Sequence, residues 1–194
     1  MKLVIVKYNA GNIQSVCYAL ERIGVEAVVT DDHQLIQSAD KVIFPGVGEA
    51  SSAMAYLRER GLDSVLQSLR QPVLGICLGM QLLCRYSEEN DTPCLGLFPT
   101  DVRRFEGVLK IPQIGWNTVE QTSGLLFDGI PAGAYFYFVH SYYAEVCTET
   151  AAVTNYGQGF SSALHKANFY GVQFHPEKSA KAGEQLIRNF IEKA

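Results

Sequence analysis

Three residue types that together perform acyl transfer stand where a fold can bring them together: a cysteine between glycines, and a histidine two residues before a glutamate. Gly75-Ile76-Cys77-Leu78-Gly79 follows the apolar run Pro72-Val73-Leu74 and precedes the helix-compatible stretch Met80 to Tyr86. Cys77 therefore falls at a tight strand-to-helix turn, a nucleophile elbow with sulfur in place of oxygen. Glycines on both sides are needed because the turning residue is strained and the strand and helix backbones approach closely. The unpaired N–H groups and dipole of a helix N-terminus favour thiolate over thiol. Without partners such a cysteine is simply a small buried hydrophobe, the reading given to Cys17, Cys84, Cys94 and Cys147.

The base comes from Phe174-His175-Pro176-Glu177, at the end of an apolar strand. Residues two apart in an extended segment share a side, so the Glu177 carboxylate reaches the His175 imidazole while Pro176 stiffens the exit. With one ring nitrogen held, the other takes the thiol proton and later returns one to a departing amine. Sites of this kind collect at the ends of parallel strands, which lets Cys77 and His175 meet across a long stretch of chain. Of the other histidines, His33 reads as an exposed loop residue, His165 as a strand end with no nearby acid, and His140 as structural.

The elements that must position these groups alternate in the first half of the chain. Residues 2 to 7 read as a strand. Ile13, Val16, Cys17, Leu20 and Ile23 then recur at helical spacing, with Gly24 placed to close the helix. Residues 26 to 30 and 41 to 44 read as further buried strands, followed by Pro45-Gly46-Val47-Gly48, a helix from about Ala50 to Arg60, and a strand from Val73 to Cys77. After residue 100 the texture is β-rich: 102–106, 116–120, 134–139, 151–155, 161–165 and 170–174 read as strands. Ser179 is placed to cap a last helix carrying Leu186, Ile187, Phe190 and Ile191. The fold class is thus α/β, an open and mostly parallel sheet flanked by helices, with an additional partly antiparallel β region.

Composition narrows the function classes. A chain of 194 residues with 47% hydrophobic and 19% charged residues is expected to form one soluble domain spanning 1–194. Its net charge of -4, with Lys and Arg scattered singly, offers no footprint for nucleic acid or an anionic membrane surface. The apolar run Met1 to Lys7 is shorter than a secretory h-region, and no window approaches the roughly 18 apolar residues of a membrane span. Five cysteines without a C-x-x-C pair point to neither a disulfide framework nor a zinc site, which fits a reducing cytoplasm. No metal or cofactor is expected.

Gly75-Ile76-Cys77-Leu78-Gly79-Met80-Gln81 together with His175-Pro176-Glu177 strongly resembles the triad, or class I, glutamine amidotransferases over essentially the whole chain. Tyr8-Asn9-Ala10-Gly11-Asn12, Pro45-Gly46-Val47-Gly48, Gly115-Trp116-Asn117 and His140-Ser141-Tyr142 resemble those members that serve a separate synthase subunit. The resemblance implies hydrolysis of L-glutamine through a Cys77 thioester, with ammonia passed to a (β/α)₈ barrel cyclase of histidine biosynthesis in a heterodimer. It implies oxyanion donors at Leu78 and in the loop of Val47 and Gly48. Substrate contacts would come from Gly46, Gly48, Gln81, Ser141 and Tyr142, and a docking face would lie near Asn12, Trp116 and Lys178. Lys7 and Gln113 depart from the family pattern, where an acid and a histidine are expected. A paralogue feeding a different acceptor, such as a surface-sugar amidation enzyme, and a non-catalytic partner-stabilising subunit therefore stay open.

Overall fold

The computed structural model describes residues 1–9, 12–107 and 109–194. The first half lays down β1 (Leu3–Val6), α1 (Ile13–Arg22), β2 (Ala27–Thr30), α2 (His33–Gln37), β3 (Lys41–Gly46), α3 (Ala50–Glu59), α4 (Leu62–Ser68), β4 (Val73–Cys77) and α5 (Leu78–Leu83). Short strands β5 (Tyr86–Ser87) and β6 (Thr92–Pro93) lead to β7 (Asp101–Arg104), β8 (Gln113–Thr118), β9 (Tyr135–His140), β10 (Tyr142–Ala144) and β11 (Thr150–Asn155). The chain finishes with β12 (Gly159–Lys166), β13 (Phe169–Val172) and α6 (Ala180–Lys193).

Among the described residues the main sheet runs β2-β1-β3-β4-β13-β12-β10-β7-β5-β6, with β11 on β12 and a separate β8–β9 ribbon. Pairing is parallel from β2 through β13 and antiparallel from β13 through β12 and β10 to β7. This is the expected mixed α/β sheet. Period-two alternation builds both faces from single strands. In β1, Val4 and Val6 enter the core with α3, α4 and α5, whereas Leu3 and Ile5 enter the core with α1, α6 and β9. Burying both sides makes the central strands continuously apolar, as in β3 and β4.

Several expectations need correction. Residues 26 to 30 do not form a buried strand, because β2 lies at the sheet edge with Val28 and Val29 exposed. His33 opens the short helix α2, and its Nε2 lies 2.9 Å from the Arg60 carbonyl. The helix after Cys77 starts at once and ends at Leu83, since Cys84 turns extended and Tyr86 enters β5. The strand around Trp116 begins upstream at Gln113, in register with His140. Ser179 does stand before α6, but its side chain does not cap it. The hydroxyl instead donates to the His175 carbonyl at 2.6 Å and accepts from the Tyr137 amide at 2.9 Å, tying the segment that carries His175 to β9.

Candidate functional site

The backbone at Cys77 is turned by force of packing. Its φ of 53° and ψ of -111° lie where an L-residue rarely rests, which costs about 1–3 kcal/mol. Close approach of α5 to the sheet holds it there. A Cβ on Gly79 would sit 1.8 Å from the Phe44 carbonyl oxygen, and one on Gly75 would sit 2.9 Å from the Met80 nitrogen. Both glycines of the elbow are thus required by contact as well as by the turn.

Sheet register then gathers the other groups. Gly46 of β3 pairs with Cys77, so Val47 and Gly48 emerge beside the sulfur. Val172 of β13 pairs with Ile76, and the chain beyond it delivers Gln173 and then His175 to the same end of the sheet. These are the carboxyl ends of parallel strands, where such sheets hold their sites. A cleft of about 320 Å³ opens there, lined among others by Val47, Gly48, Cys77, Leu78, Gln81 and Glu89. Its far wall carries Ser141, Tyr142, His175 and Lys178.

Within the cleft, His175 Nδ1 lies 2.8 Å from Glu177 Oε1, both side chains being closed to solvent. The imidazole and the Cys77 side chain line the same cleft. Burial alone would disfavour a charged His175. The hydrogen bond to Glu177 and the charge interactions with Cys77 and Glu177 outweigh it and push the imidazole up to about 10. The Asn12 side-chain amide donates to the same Glu177 oxygen, and Arg22 donates to the Glu177 backbone carbonyl at 3.3 Å. On the other side of the sulfur, Cys77 Sγ lies 3.9 Å from the Val139 carbonyl.

Other expected site residues fall into groups. Gly48, with a φ of 111°, Val47, Leu78, Ser141 and Tyr142 all reach the cleft. Gln81 does as well, but both hydrogens of its amide are committed, to the Tyr142 carbonyl and to Gln173 Oε1, each at 2.9 Å. Only its oxygen is left to face a ligand. Gly46 is buried behind the cleft wall, where a Cβ would collide with the Tyr8 hydroxyl. Asn12, expected on a docking face, is half-buried and spends its amide on Glu177. Trp116 and Lys178 are exposed. Ala10 and Gly11 of the segment from Tyr8 to Asn12 lie outside the described residues.

His140 is buried, with Nδ1 2.7 Å from the Tyr142 carbonyl and Nε2 3.0 Å from Gln113 Oε1. Burial holds it down at about 4 despite that carbonyl, and the nearby His175 adds to the effect, so it is neutral at pH 7. With Nδ1–H donating to the Tyr142 carbonyl, the neutral ring leaves Nε2 to accept, so the Gln113 amide turns its NH2 end toward it. Two residues escaped the sequence reading. Glu89 lines the cleft with its Oε2 accepting from the Ala50 amide at 2.8 Å, and burial raises its carboxyl. Gln173 is buried against Cys77. Glu89 carried no signal in sequence, whereas Gln173 stood within the quoted strand as a polar residue among apolar ones.

A thiol and an imidazole sharing a cleft at the strand ends of a mixed α/β sheet, with a carboxylate bonded to the imidazole, define an acyl-transfer site. The chain belongs to the family Glutamine amidotransferase class-I, which it matches over residues 4–194. It is 57% identical to imidazole glycerol phosphate synthase subunit HisH of Bacteroides thetaiotaomicron, over 99% of this chain and 100% of that protein. To the subunit of the same name from Pectobacterium atrosepticum it is 49% identical, again over 99% and 100%. The solved structure of a glutamine amidotransferase shares the fold at a TM-score of 0.76, with 20% identity and coverage of 99% of this chain and 98% of that one.

Proposed function

We propose that this chain is the glutaminase subunit of an imidazole glycerol phosphate synthase, hydrolysing L-glutamine to glutamate and ammonia for a (β/α)₈ barrel cyclase partner. The observation that carries the reading is the buried His175–Glu177 pair, whose imidazole lines the same cleft as Cys77. The likeness to the HisH subunits supports the pathway.

In this mechanism the Cys77 sulfur attacks the carboxamide carbon of glutamine, and the carbonyl oxygen becomes an oxyanion. The backbone N–H of Leu78 and one from the Val47–Gly48 loop are its donors, each worth about 10²–10³ in rate. His175 gives its proton to the leaving nitrogen, ammonia departs and a thioester remains. Water, deprotonated by His175, then attacks the thioester and frees glutamate and the sulfur. Glu177 keeps the imidazole aligned and balances its charge throughout. Glu89 and the oxygen of Gln81 suit the α-ammonium of glutamine, while the Ser141–Tyr142 backbone suits its α-carboxylate. The released ammonia stays a nucleophile only if kept from water, and the exposed Trp116 and Lys178 would help a partner seal the exit.

The test is glutamine turnover by the purified chain with candidate barrel partners, each supplied with its acceptor. Stimulation by the histidine-pathway barrel, abolished by Cys77→Ala, is expected. Equal turnover by Cys77→Ala would defeat the mechanism, and stimulation only by another barrel would move the chain to a different pathway.

A further inference from the structure

The mechanism leaves one buried polar group beside the sulfur without a task. Gln173 is wholly closed to solvent. Its Nε2 lies 3.7 Å from Cys77 Sγ, a hydrogen-bond length for sulfur, and its Oε1 accepts from Gln81 Nε2 at 2.9 Å. Gln81 donates its second hydrogen to the Tyr142 carbonyl. The Gln81 nitrogen has no acceptor capacity, so the oxygen end of Gln173 must face it, and only the N–H end can face the sulfur.

We propose that Gln173 takes part in the reaction by donating to the Cys77 sulfur, favouring the thiolate and aiming it, and that Gln81 locks this donor to the Tyr142 wall of the cleft. The inference rests on Cys77 being the nucleophile, as argued above. Three observations support it. Register puts residue 173 opposite Cys77, one step beyond the Val172–Ile76 pair, so the contact is built into the sheet. A carboxamide buried in a core is costly unless both ends are bonded, and here the sulfur completes the set. An N–H donor also bonds an anion more strongly than a neutral group, so the contact strengthens when the thiol ionises. The Val139 carbonyl on the other side of the sulfur serves the protonated form, and the two neighbours set opposite preferences.

The experiment is alkylation of Cys77 by iodoacetamide between pH 5 and 10, without glutamine, on the full chain. It compares wild type with Gln173→Met, Gln81→Leu and the double variant, their folding checked by circular dichroism. In Gln173→Met the rate near pH 6 should fall about 3- to 10-fold, the worth of one ordinary hydrogen bond, since sulfur is a weak acceptor, while the rate at pH 10 stays unchanged. Gln81→Leu should lower the pH 6 rate in the same direction, and the double variant should add nothing to Gln173→Met. A wild-type profile in Gln173→Met overturns the proposal, as does an equal loss at every pH, which signals altered access alone. If Gln173→Met fails to fold, an unchanged profile in Gln81→Leu overturns it. A wild-type Cys77 no more reactive than Cys17 would remove the nucleophile itself, a result distinct from these.

Discussion

His175 and Glu177 face one another at 2.8 Å with neither side chain open to solvent, although they are separated only by Pro176. The pairing is local, yet its tightness is not. Asn12 donates to the same carboxylate, and Ser179 pins the His175 carbonyl to β9.

Replacing the carboxylate should therefore damage chemistry more than binding. Glu177→Gln keeps shape but removes the charge that balances the imidazolium. Partner-stimulated kcat for glutamine is expected to fall by up to about 10⁴, the loss when the acid of such a triad is neutralised. KM should change little, as for an interaction made chiefly in the transition state. Steady-state kinetics check this, and a drop confined to KM would contradict it.

The two buried histidines predict stability limbs of opposite sign. His140 is held below its unfolded value, so its contribution is present above about pH 6.5 and is lost as pH falls toward 4, by about 3 kcal/mol in all. His175 is held above its unfolded value, so its contribution is complete below pH 6.5 and fades as pH rises through about 10. Urea unfolding across that range should show a maximum between the limbs. His140→Asn should flatten the acid limb, and Cys77→Ala should weaken the alkaline one.

Gly79 tests the elbow by contact. The added methyl of Gly79→Ala would meet the Phe44 carbonyl at 1.8 Å, inside a rigid strand rather than at the tip of a side chain. A loss of about 3 kcal/mol or more is expected, through strain and displacement of α5. Denaturant midpoints measure it. A variant of wild-type stability would mean that α5 has room to shift.

The β8–β9 ribbon predicts where a partner binds. Ile114, Trp116 and Tyr135 are 59%, 52% and 61% exposed, and Trp116 pairs with Tyr137 across the ribbon. An exposed aromatic of this kind is a typical binding anchor. On the proposed function, Trp116→Ala should weaken the barrel complex by about tenfold or more, a hot-spot effect. The reactivity of Cys77 in the free chain should not change. Titration calorimetry with the stimulating barrel reads the first, and alkylation the second.

What the sequence determined by itself is what short-range rules control. The elbow of Gly75 to Gly79, the His175–Glu177 spacing and the amphipathic stripes of α1 and α6 follow from strand and helix periods and from the steric demands of one tight turn. Length and spacing left α2, α4 and the short β5 and β6 unread, because elements that brief owe their existence to neighbours more than to pattern. Tertiary structure alone decided which polar groups stand near the sulfur. The parallel register of β4 and β13 brings Gln173 to Cys77, and antiparallel pairing of β8 with β9 gives His140 its Gln113 partner. It also turned Asn12 inward to Glu177 and left β2 at an open edge. A hydrogen bond between residues far apart in the chain depends on strand order and register, and these are set by how both faces of the whole sheet are buried at once.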